Sequence, residues 1–376
     1  MSATDRHVIF MLRAIALAKL GAGATGSNPM VGSVLVHQGR VIGEGYHRKF
    51  GEAHAEVNCL NDVKEEDRSL ISESTLYVTL EPCSHFGKTP PCADLIIARG
   101  IKHVVVGSPD PFSQVNGKGI EKLLNANVRV ETGVLSAECH ALNKRFFTFH
   151  KKKRPYIILK WAQTGDRFIS WHGSNENERL MITGDITNRL VHKWRSEEMA
   201  IMVGTNTARS DNPSLTNRLW TGSSPVRVTI DRNLSLPQSH RLFDNAVRTI
   251  VFNRERDAVV GQTQYIKIDL HDTMPATSFQ QSTIFITGGP GTEVPSMLNE
   301  LTNLQLTSVI VEGGSMLLQS FINQGCWDEA RVITNTSLFG KIGVPSPVIP
   351  DAILTGSLVI GNELVQYFEN SDQQPY

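Results

Sequence analysis

The stretch between His54 and Cys92 constrains the fold more than any other part of the chain. It contains His54-Ala55-Glu56, a strand-like run at 75–80, and then Cys83, which is separated from Cys92 by eight residues. One imidazole and two thiolates can occupy three positions of a tetrahedral zinc and leave the fourth position open for water, which is the arrangement of a catalytic site. The chain must therefore fold so that these three side chains meet at one metal ion.

Glu56 follows the histidine by two residues, so that its carboxylate is well placed to handle the protons of that water. Zinc lowers the pKa of a bound water from about 15.7 to about 7, which makes hydroxide available to attack an electron-poor ring carbon bearing an amine. Zinc deaminases carry H-x-E followed by P-C-x-x-C, and the glutamate is not a ligand. The sequence therefore predicts hydrolytic deamination, with His54, Cys83 and Cys92 as zinc ligands and Glu56 as the proton shuttle.

The loop between the two cysteines is longer than in that signature, with eight residues in place of two. Its return is stiffened by Pro90-Pro91, which fix backbone angles. Ser84, His85 and Lys88 offer hydrogen-bond donors and a positive charge at the rim of the pocket, which suits an anionic or highly polar substrate. His85 could instead complete a structural site with four protein ligands, so that interpretation stays open here.

The composition favours a small-molecule enzyme with two domains. The chain has 376 residues, enough for two cores, and its 37 lysines and arginines balance its 37 aspartates and glutamates. A balanced charge gives no reason to expect a nucleic-acid partner. Five scattered cysteines and a start without a signal segment favour a reducing cytoplasm. No apolar run approaches the roughly 20 residues that span a bilayer, so no membrane role is expected.

Strand and helix patterns alternate through the first half. An amphipathic helix is predicted from about residue 4 until Gly21, followed by a hairpin of strands 31–36 and 40–46 and a catalytic helix that begins near Ala53. The remaining predicted elements are strand 75–80, helix 93–99, strand 103–106, helix 119–125, strand 128–131 and helix 136–149. Strands separated by helices predict an α/β sheet that is covered on both faces.

A basic run at 151–154 precedes Pro155, which ends the helical pattern and marks a hinge. The predicted domains are therefore 1–150 and 151–368, followed by a polar tail at 369–376. Predicted strands in the second half are 156–162, 199–203, 226–230, 249–252, 283–287 and 308–311. Two strands end in glycine turns, at Gly288-Gly289 and Gly313-Gly314, and the second precedes a predicted helix at 316–323, where backbone amides can hold a phosphate. A G-x-G-x-x-G fingerprint is absent from the sequence, so a Rossmann dinucleotide site is disfavoured.

The motifs of the first half closely resemble the deaminase domain of the bifunctional riboflavin-biosynthesis deaminase/reductases. The resemblance rests on His54-Ala55-Glu56, on the 82–92 run P-C-S-H-F-G-K-T-P-P-C, and on the segments 28–32, 43–47, 110–111 and 117–119. It implies a cytidine-deaminase-like zinc domain that deaminates a diaminopyrimidinone carrying a phosphoribosylamino group. It also implies that the substrate is bound by Asn28, His47, His85 and Lys88.

The second half resembles, more loosely, the reductase domain of the same family, which is similar in fold to dihydrofolate reductase. The resemblance implies that NADPH reduces the phosphoribosyl group to a phosphoribityl chain. The substrate contacts that it implies are Arg195, Leu215, Arg218 and Glu312. The cofactor contacts that it implies are Ala162, Thr207, Asp211, Gly314, Ser315 and Met316. A homo-oligomer, either a dimer or a tetramer, is also expected.

The chain departs from the family pattern at three places. Gly165-Asp166-Arg167 replaces the usual Leu-Asp-Gly, the run 179–183 replaces Ser-x-Trp-Ile-Thr, and Phe112 stands in a segment that is commonly Asp-Pro-Asn-Pro. Arg167 lacks a glycine's backbone freedom, and Met181 lacks an aromatic stacking face. These departures leave open a deaminase with an inactive reductase-like domain. Independently of them, a second alternative is a deaminase of a nucleic-acid or nucleoside base. A zinc-stabilised scaffold that senses nucleotides is a third, non-enzymatic alternative.

Overall fold

The computed structural model describes residues 3–86, 90–112, 115–171, 181–268, 293–340, 342–350 and 352–372. The chain divides into two compact units, Met1–Lys153 and Arg154–Tyr376. Several sequence predictions lie outside the described residues, namely those for Lys88, Arg179, Leu180, Ser113, strand 283–287 and the glycine turn at 288–291. No helix in the described part of the chain is long and apolar enough to cross a membrane.

The first unit is an α/β domain built on one sheet. Its strands are β1 (Gly32–His37), β2 (Arg40–Tyr46), β3 (Thr75–Leu80), β4 (His103–Ser108) and β5 (Arg129–Thr132). Its helices are α1 (Ala3–Ala18), α2 (Ala55–Asp62), α3 (Cys92–Ala98), α4 (Lys118–Asn125), α5 (Ser136–Leu142) and α6 (Lys144–Lys152). The strand order is β2-β1-β3-β4-β5, with β1 antiparallel to both neighbours and β3, β4 and β5 parallel.

Helices cover both faces of this sheet, as the alternating pattern predicted. Successive side chains of a strand point to opposite faces. Leu35 and Leu76 therefore pack with Leu60 of α2 and Ile96 of α3, while neighbouring strand residues pack on the other face with α1 and α5. The metal-site motif follows β3, at the carboxyl end of the parallel strands, where open α/β sheets bind ligands.

The single helix predicted over 136–149 is wrong in one respect, because it divides into α5 and α6 at Asn143. The Asn143 side chain accepts a hydrogen bond from the Met30 amide and donates one to the Met30 carbonyl, both at 2.8 Å. These long-range bonds hold Asn143 at φ −114° and ψ 24°, outside the helical region. A local sequence pattern contains no trace of a partner 113 residues away.

The second unit is built on a larger mixed sheet. Its strands are β6 (Tyr156–Thr164), β7 (Phe168–Trp171), β8 (Ala200–Val203), β9 (Val226–Ile230), β10 (Thr249–Asn253), β11 (Ala258–Val260), β12 (Thr263–Lys267), β13 (Ser308–Glu312), β14 (Glu329–Asn335), β15 (Gly343–Pro345), β16 (Ala352–Ile360) and β17 (Glu363–Asn370). Its helices are α7 (Asp185–Glu197), α8 (Thr205–Asp211), α9 (Val294–Asn303) and α10 (Ser315–Asn323). Within the described residues the order of the main sheet is β11-β12-β10-β9-β8-β13-β6-β14-β17-β16, and β7 pairs separately with β15.

The centre of this sheet, from β12 to β14, is parallel, and the β16–β17 hairpin extends it antiparallel. Apolar clusters on both faces bury its central strands, as the continuous runs of Val and Ile predicted. The hairpin was not predicted from the sequence, since β16 is mostly exposed and lacks a buried strand's pattern. Strand β17 runs to Asn370, two residues beyond the predicted end of the reductase domain at 368.

Candidate functional site

The predicted zinc ligands converge in the first unit. The His54 Nδ1 atom lies 3.5 Å from the Cys83 sulfur and 3.4 Å from the Cys92 sulfur. A tetrahedral zinc with bonds of about 2.0 Å to nitrogen and about 2.3 Å to sulfur needs nitrogen–sulfur separations of roughly 3.6 Å. The donor set and its spacing therefore fit one zinc ion, with Nδ1 as the ligand atom of His54.

Two helix N-termini build this cluster. His54 is the N-cap residue of α2, and Cys92 is the first residue of α3. The Cys92 amide donates to the Cys83 sulfur at 3.3 Å, and helix N-termini favour negative charge. Hydrogen bonds from Cys92 and His54 lower the pKa of the Cys83 thiol, whereas its pairing with Cys83 and its burial raise the pKa of the Cys92 thiol. A thiolate is the form that binds metal.

Glu56 lies in the first turn of α2 and is buried, with 3% of its surface exposed. Burial, followed by the nearby Cys83 charge, raises the pKa of its carboxyl to about 7. An acid–base group is most effective when its pKa is close to the working pH. The environment of Glu56 therefore suits a group that takes up and returns protons at neutral pH.

Asn28 and His47 meet beside the ligands. The His47 Nδ1 atom lies 3.1 Å from the Ala53 carbonyl, so Nδ1 carries the proton and donates it. The Nε2 atom then accepts a hydrogen bond from the Asn28 side-chain amide at 3.2 Å, and burial lowers the pKa of His47. This bond fixes the orientation of the Asn28 side-chain amide. The His47 ring also lies edge-on to His54, at 5.6 Å between centroids.

His85 does not join the metal cluster. Among the described residues, the metal-ligating atoms within 4.8 Å of one another are those of His54, Cys83 and Cys92 alone. A site with three protein ligands is what a catalytic zinc requires, so the structural interpretation with His85 as the fourth ligand is disfavoured. The buried Nδ1 atom of His85 has no hydrogen-bond partner among the described residues, and its ring lies 6.0 Å from that of Phe112.

A charged cluster occupies the second unit at the end of β13. Both carboxylate oxygens of Glu312 accept hydrogen bonds from Arg195, at 2.8 and 2.7 Å, and Lys160 lies 3.7 Å away. Burial would raise the pKa of Glu312, but Arg195 and Lys160 lower it to about 2. Arg195 is therefore part of a buried, bidentate ion pair.

The loop that carries Leu215 and Arg218 lies next to this cluster. Leu215 is buried in the core with a φ of +51°, so its backbone is the part that a ligand can reach. The Arg218 amide donates to His192 Nδ1 at 2.9 Å, and its guanidinium contacts the Ser214 hydroxyl. Burial and the charges of Arg195 and Arg241 lower the pKa of Arg218. Such mutual repulsion between arginines is relieved by a bound anion.

The predicted cofactor residues fall into two groups. Ser315 and Met316 open α10 directly after Gly313 and Gly314, whose φ values are +79° and +76°. A Cβ atom on Gly314 would lie 3.0 Å from the Thr207 hydroxyl of α8, so only glycine leaves this cradle open. Asp211 ends α8 one turn beyond Thr207, whereas Ala162 lies in β6, opposite Ile333 of β14. The cradle and the free amides of α10 fit a phosphate group of a dinucleotide.

Two of the sequence departures are visible in this unit. Arg167 adopts a φ of +67°, a conformation that glycine adopts freely and that is strained for a residue with a side chain. Bonds from its amide to Thr164 and from the Ser346 amide to its carbonyl hold that conformation. Met181 is 67% exposed at the edge of the described residues.

Sequence reasoning missed residues that these sites include. Lys160 lies inside β6, and the sequence pattern predicted it only as part of a buried strand. Asn143 was predicted to be an ordinary helix residue. A lysine within a strand of buried apolar residues was the available signal, because a buried charge needs a partner. Asn143 offered no such signal.

The chain matches two known families along most of its length. Residues 155–365 match the family described as RibD C-terminal domain, and residues 4–108 match the cytidine and deoxycytidylate deaminase zinc-binding region. Similar proteins include the riboflavin biosynthesis protein RibD of Aquifex aeolicus, which is 38% identical over 88% of this chain and 87% of the relative. The RibD of Actinobacillus pleuropneumoniae is 37% identical, over 90% of this chain and 86% of the relative.

Solved structures show the same similarity. A diaminohydroxyphosphoribosylaminopyrimidine deaminase/5-amino-6-(5-phosphoribosylamino)uracil reductase of Thermotoga maritima superposes with a TM-score of 0.84 at 35% identity, covering 98% of this chain and 99% of that chain. A RibD structure from Acinetobacter baumannii gives a TM-score of 0.82 at 28% identity, with the same coverage. The similarity therefore extends over both units.

Proposed function

The chain belongs to the RibD family of riboflavin-biosynthesis deaminase/reductases, and on that premise we propose its substrates and the roles of its residues. It is a bifunctional enzyme with a hydrolytic deaminase domain and a reductase domain. Its proposed first substrate is 2,5-diamino-6-(5-phosphoribosylamino)pyrimidin-4-one. We place the deaminase in residues 1–150 and the reductase in 151–368. The alternatives of an inactive second domain, a nucleic-acid or nucleoside deaminase and a scaffold have no comparable support.

The convergence of His54 Nδ1 with two cysteine sulfurs beside buried Glu56 carries the deaminase proposal. His54, Cys83 and Cys92 would hold the zinc, which when bound lowers the pKa of a water molecule to about 7. The Glu56 carboxylate would accept a proton from the attacking water and return protons to the ring nitrogen and to the departing ammonia. Asn28, His47 and His85 orient the substrate ring, and Lys88 contributes a positive charge to the rim of the binding site.

In the second domain we propose that Arg195, Arg218 and the backbone of Leu215 bind the phosphoribosyl group, with Glu312 fixing Arg195. Lys160 belongs to the same site, since it is held by Glu312. A reductase domain implies a nicotinamide cofactor, which supplies a hydride, and we propose NADPH. Thr207, Asp211, Gly314, Ser315 and Met316 would contact the dinucleotide, with the amides of the glycine turn and of α10 at its phosphates, and Ala162 would contact it from β6.

We further propose a homo-oligomer in the cytoplasm. The edge strand β16 exposes several large apolar side chains, among them Ile353, Leu354 and Val359, and such an edge favours a partner. The five cysteines form no disulfide, which supports a reducing compartment.

Glu56→Gln tests the deaminase proposal. The amide keeps the shape of the side chain and loses the base, so ammonia release should fall by about a hundredfold to ten-thousandfold. The exposed Glu73 offers a matched control, because Glu73→Gln makes the same chemical change away from the cluster. Metal analysis should find about one zinc per chain in all three proteins, since three ligands and one open position make one site. Near-normal turnover in Glu56→Gln would assign the proton transfer to another group.

A further inference from the structure

Glu81 ends the β3 segment two residues before Cys83, and 4% of its surface is exposed. Its carboxylate accepts backbone hydrogen bonds from four residues of another segment. The Oε2 atom accepts from Asp110 and Gly117, at 3.1 and 3.0 Å, and the Oε1 atom accepts from Gly119 and Ile120, at 2.9 and 3.2 Å. Because α4 begins at Lys118, two of these amides belong to its first turn and lack partners within the helix.

The segment held in this way carries Phe112. The Asp110 carboxylate accepts the Phe112 amide at 2.8 Å, and the Phe112 carbonyl accepts the amides of Val115 and Asn116. Phe112 therefore has a fixed backbone. Asp110 links it to Glu81, because the Asp110 amide donates to the Glu81 carboxylate and the Asp110 carboxylate accepts from the Phe112 amide. Its ring packs against the apolar cluster of Leu80, Phe146 and Phe147.

The Phe112 ring also contacts two histidine rings, that of His150 at 5.0 Å between centroids and that of His85. It lies 6.0 Å from the His85 ring in an edge-to-face arrangement, a favourable geometry for aromatic rings. His85 is the proposed substrate ligand whose buried Nδ1 atom has no partner among the described residues. The orientation of that donor or acceptor therefore depends on where Phe112 lies.

The contact between the two segments leaves little room for adjustment. A Cβ atom on Gly119 would lie 2.0 Å from the Pro82 carbonyl oxygen. The first turn of α4 thus rests directly on the residue before Cys83. If the carboxylate of Glu81 is lost, residues 110–112 and 115–120 lose the acceptor that holds them beside β3, and the close contact of Gly119 with Pro82 prevents them from moving nearer to compensate.

We propose that Glu81 is a positioning residue of the deaminase, a carboxylate that clamps residues 110–112 and 115–120 so that Phe112 fixes the His85 ring against the substrate. This proposal rests on the proposed deaminase function. Glutamine cannot replace the carboxylate, because its amide group would turn hydrogens toward backbone donors.

Glu81→Gln in the full chain should raise the deaminase KM by about threefold to tenfold. This factor corresponds to the loss of one ordinary hydrogen bond between the substrate and a misplaced His85. Its kcat and its zinc content should stay within about twofold of the unsubstituted protein, because Glu56 and the ligands keep their own contacts. Glu81→Asp retains the charge and should recover part of the KM. Phe112→Leu keeps an apolar side chain and should raise the KM by a similar factor. If Glu81→Gln fails to fold, the KM of Phe112→Leu tests the proposal. Combining the two changes should add little, since they act through one contact.

Asp67→Asn provides a matched control, because Asp67 is another buried carboxylate of this unit and is held by two bonds to Arg40. It should lower the melting temperature and leave the KM unchanged. A destabilised Glu81→Gln protein with a normal KM would show a merely structural role and overturn the proposal, and so would a normal KM in Phe112→Leu.

Binding separates this proposal from the proposed function. The Kd of the diaminopyrimidine phosphate, measured by calorimetry in a Glu56→Gln background, should rise by the same factor with Glu81→Gln. An unsubstituted protein that binds this compound without deaminating it contradicts the proposed function, while the change in Kd still tests the clamp. An unsubstituted protein that does not bind it overturns both.

Discussion

Arg167 occupies a backbone conformation that costs free energy, and replacing it with glycine should stabilise the second unit. Its φ is +67°, and the left-handed region costs a residue with a side chain about 1–2 kcal/mol relative to glycine. Glycine also has more conformational entropy than arginine in the unfolded chain, and this reduces the gain in stability by about 0.4–1 kcal/mol. The Arg167 side chain is exposed, and both of its backbone bonds, to Thr164 and from Ser346, survive the change. The net gain in the free energy of unfolding is therefore about 0.5–1 kcal/mol.

Thermal unfolding of the full chain measures this gain. For a domain of this size, 1 kcal/mol corresponds to about 2–4 °C, so the transition of the second unit should rise by about 1–4 °C. Arg189→Gly makes the same change on the exposed face of α7, where glycine costs about 1 kcal/mol, and should lower the same transition. Reductase kinetics should be unchanged in Arg167→Gly, because the backbone already follows a glycine's path. A fall in the melting temperature of Arg167→Gly would refute the strain argument.

Three further outcomes are expected. Arg218→Ala should raise the reductase KM for the phosphorylated intermediate by about tenfold to a hundredfold, as expected for lost charge-assisted bonds, while the dephosphorylated intermediate and the control Arg256→Ala show no change. Asn143→Ala leaves the amide and carbonyl of Met30 without partners and should lower the free energy of unfolding by about 1–3 kcal/mol in a urea titration; no change would mean that water replaces both bonds. Glu312 has a pKa of about 2 in the folded protein against an ordinary value near 4.3, so its stabilising contribution is complete above that value and is lost as the pH falls toward 2. The urea midpoint of the unsubstituted protein should therefore drop more between pH 5 and pH 3 than that of Glu312→Gln, and equal drops would contradict the assignment.

The sequence alone determined the character of the first domain, because metal chemistry restricts residue types and spacing so narrowly. A histidine, a glutamate two residues later and two cysteines around a stiff loop left few arrangements, and the structure brings His54, Cys83 and Cys92 to the separations that a tetrahedral ion requires. The buried strands could also be predicted from the sequence, since a continuous apolar run such as that of β8 is typical of a strand buried on both faces. The hairpin of β16 and β17 could not be predicted from the sequence, because β16 is a largely exposed edge strand and lacks a continuous apolar run.

The tertiary structure decided the features that depend on partners distant in the chain. Asn143 divides a helix because Met30 lies beside it, and Glu81 serves as a clamp because four amides from another segment reach it. Arg195 belongs to a buried ion pair because β13 places Glu312 opposite it. Arg167 adopts a glycine's conformation because two backbone bonds outweigh a local preference of about 1–2 kcal/mol. Local preferences of that size can be predicted from a sequence. The long-range hydrogen bonds and the burial that outweigh them cannot, because they form only when the chain has folded.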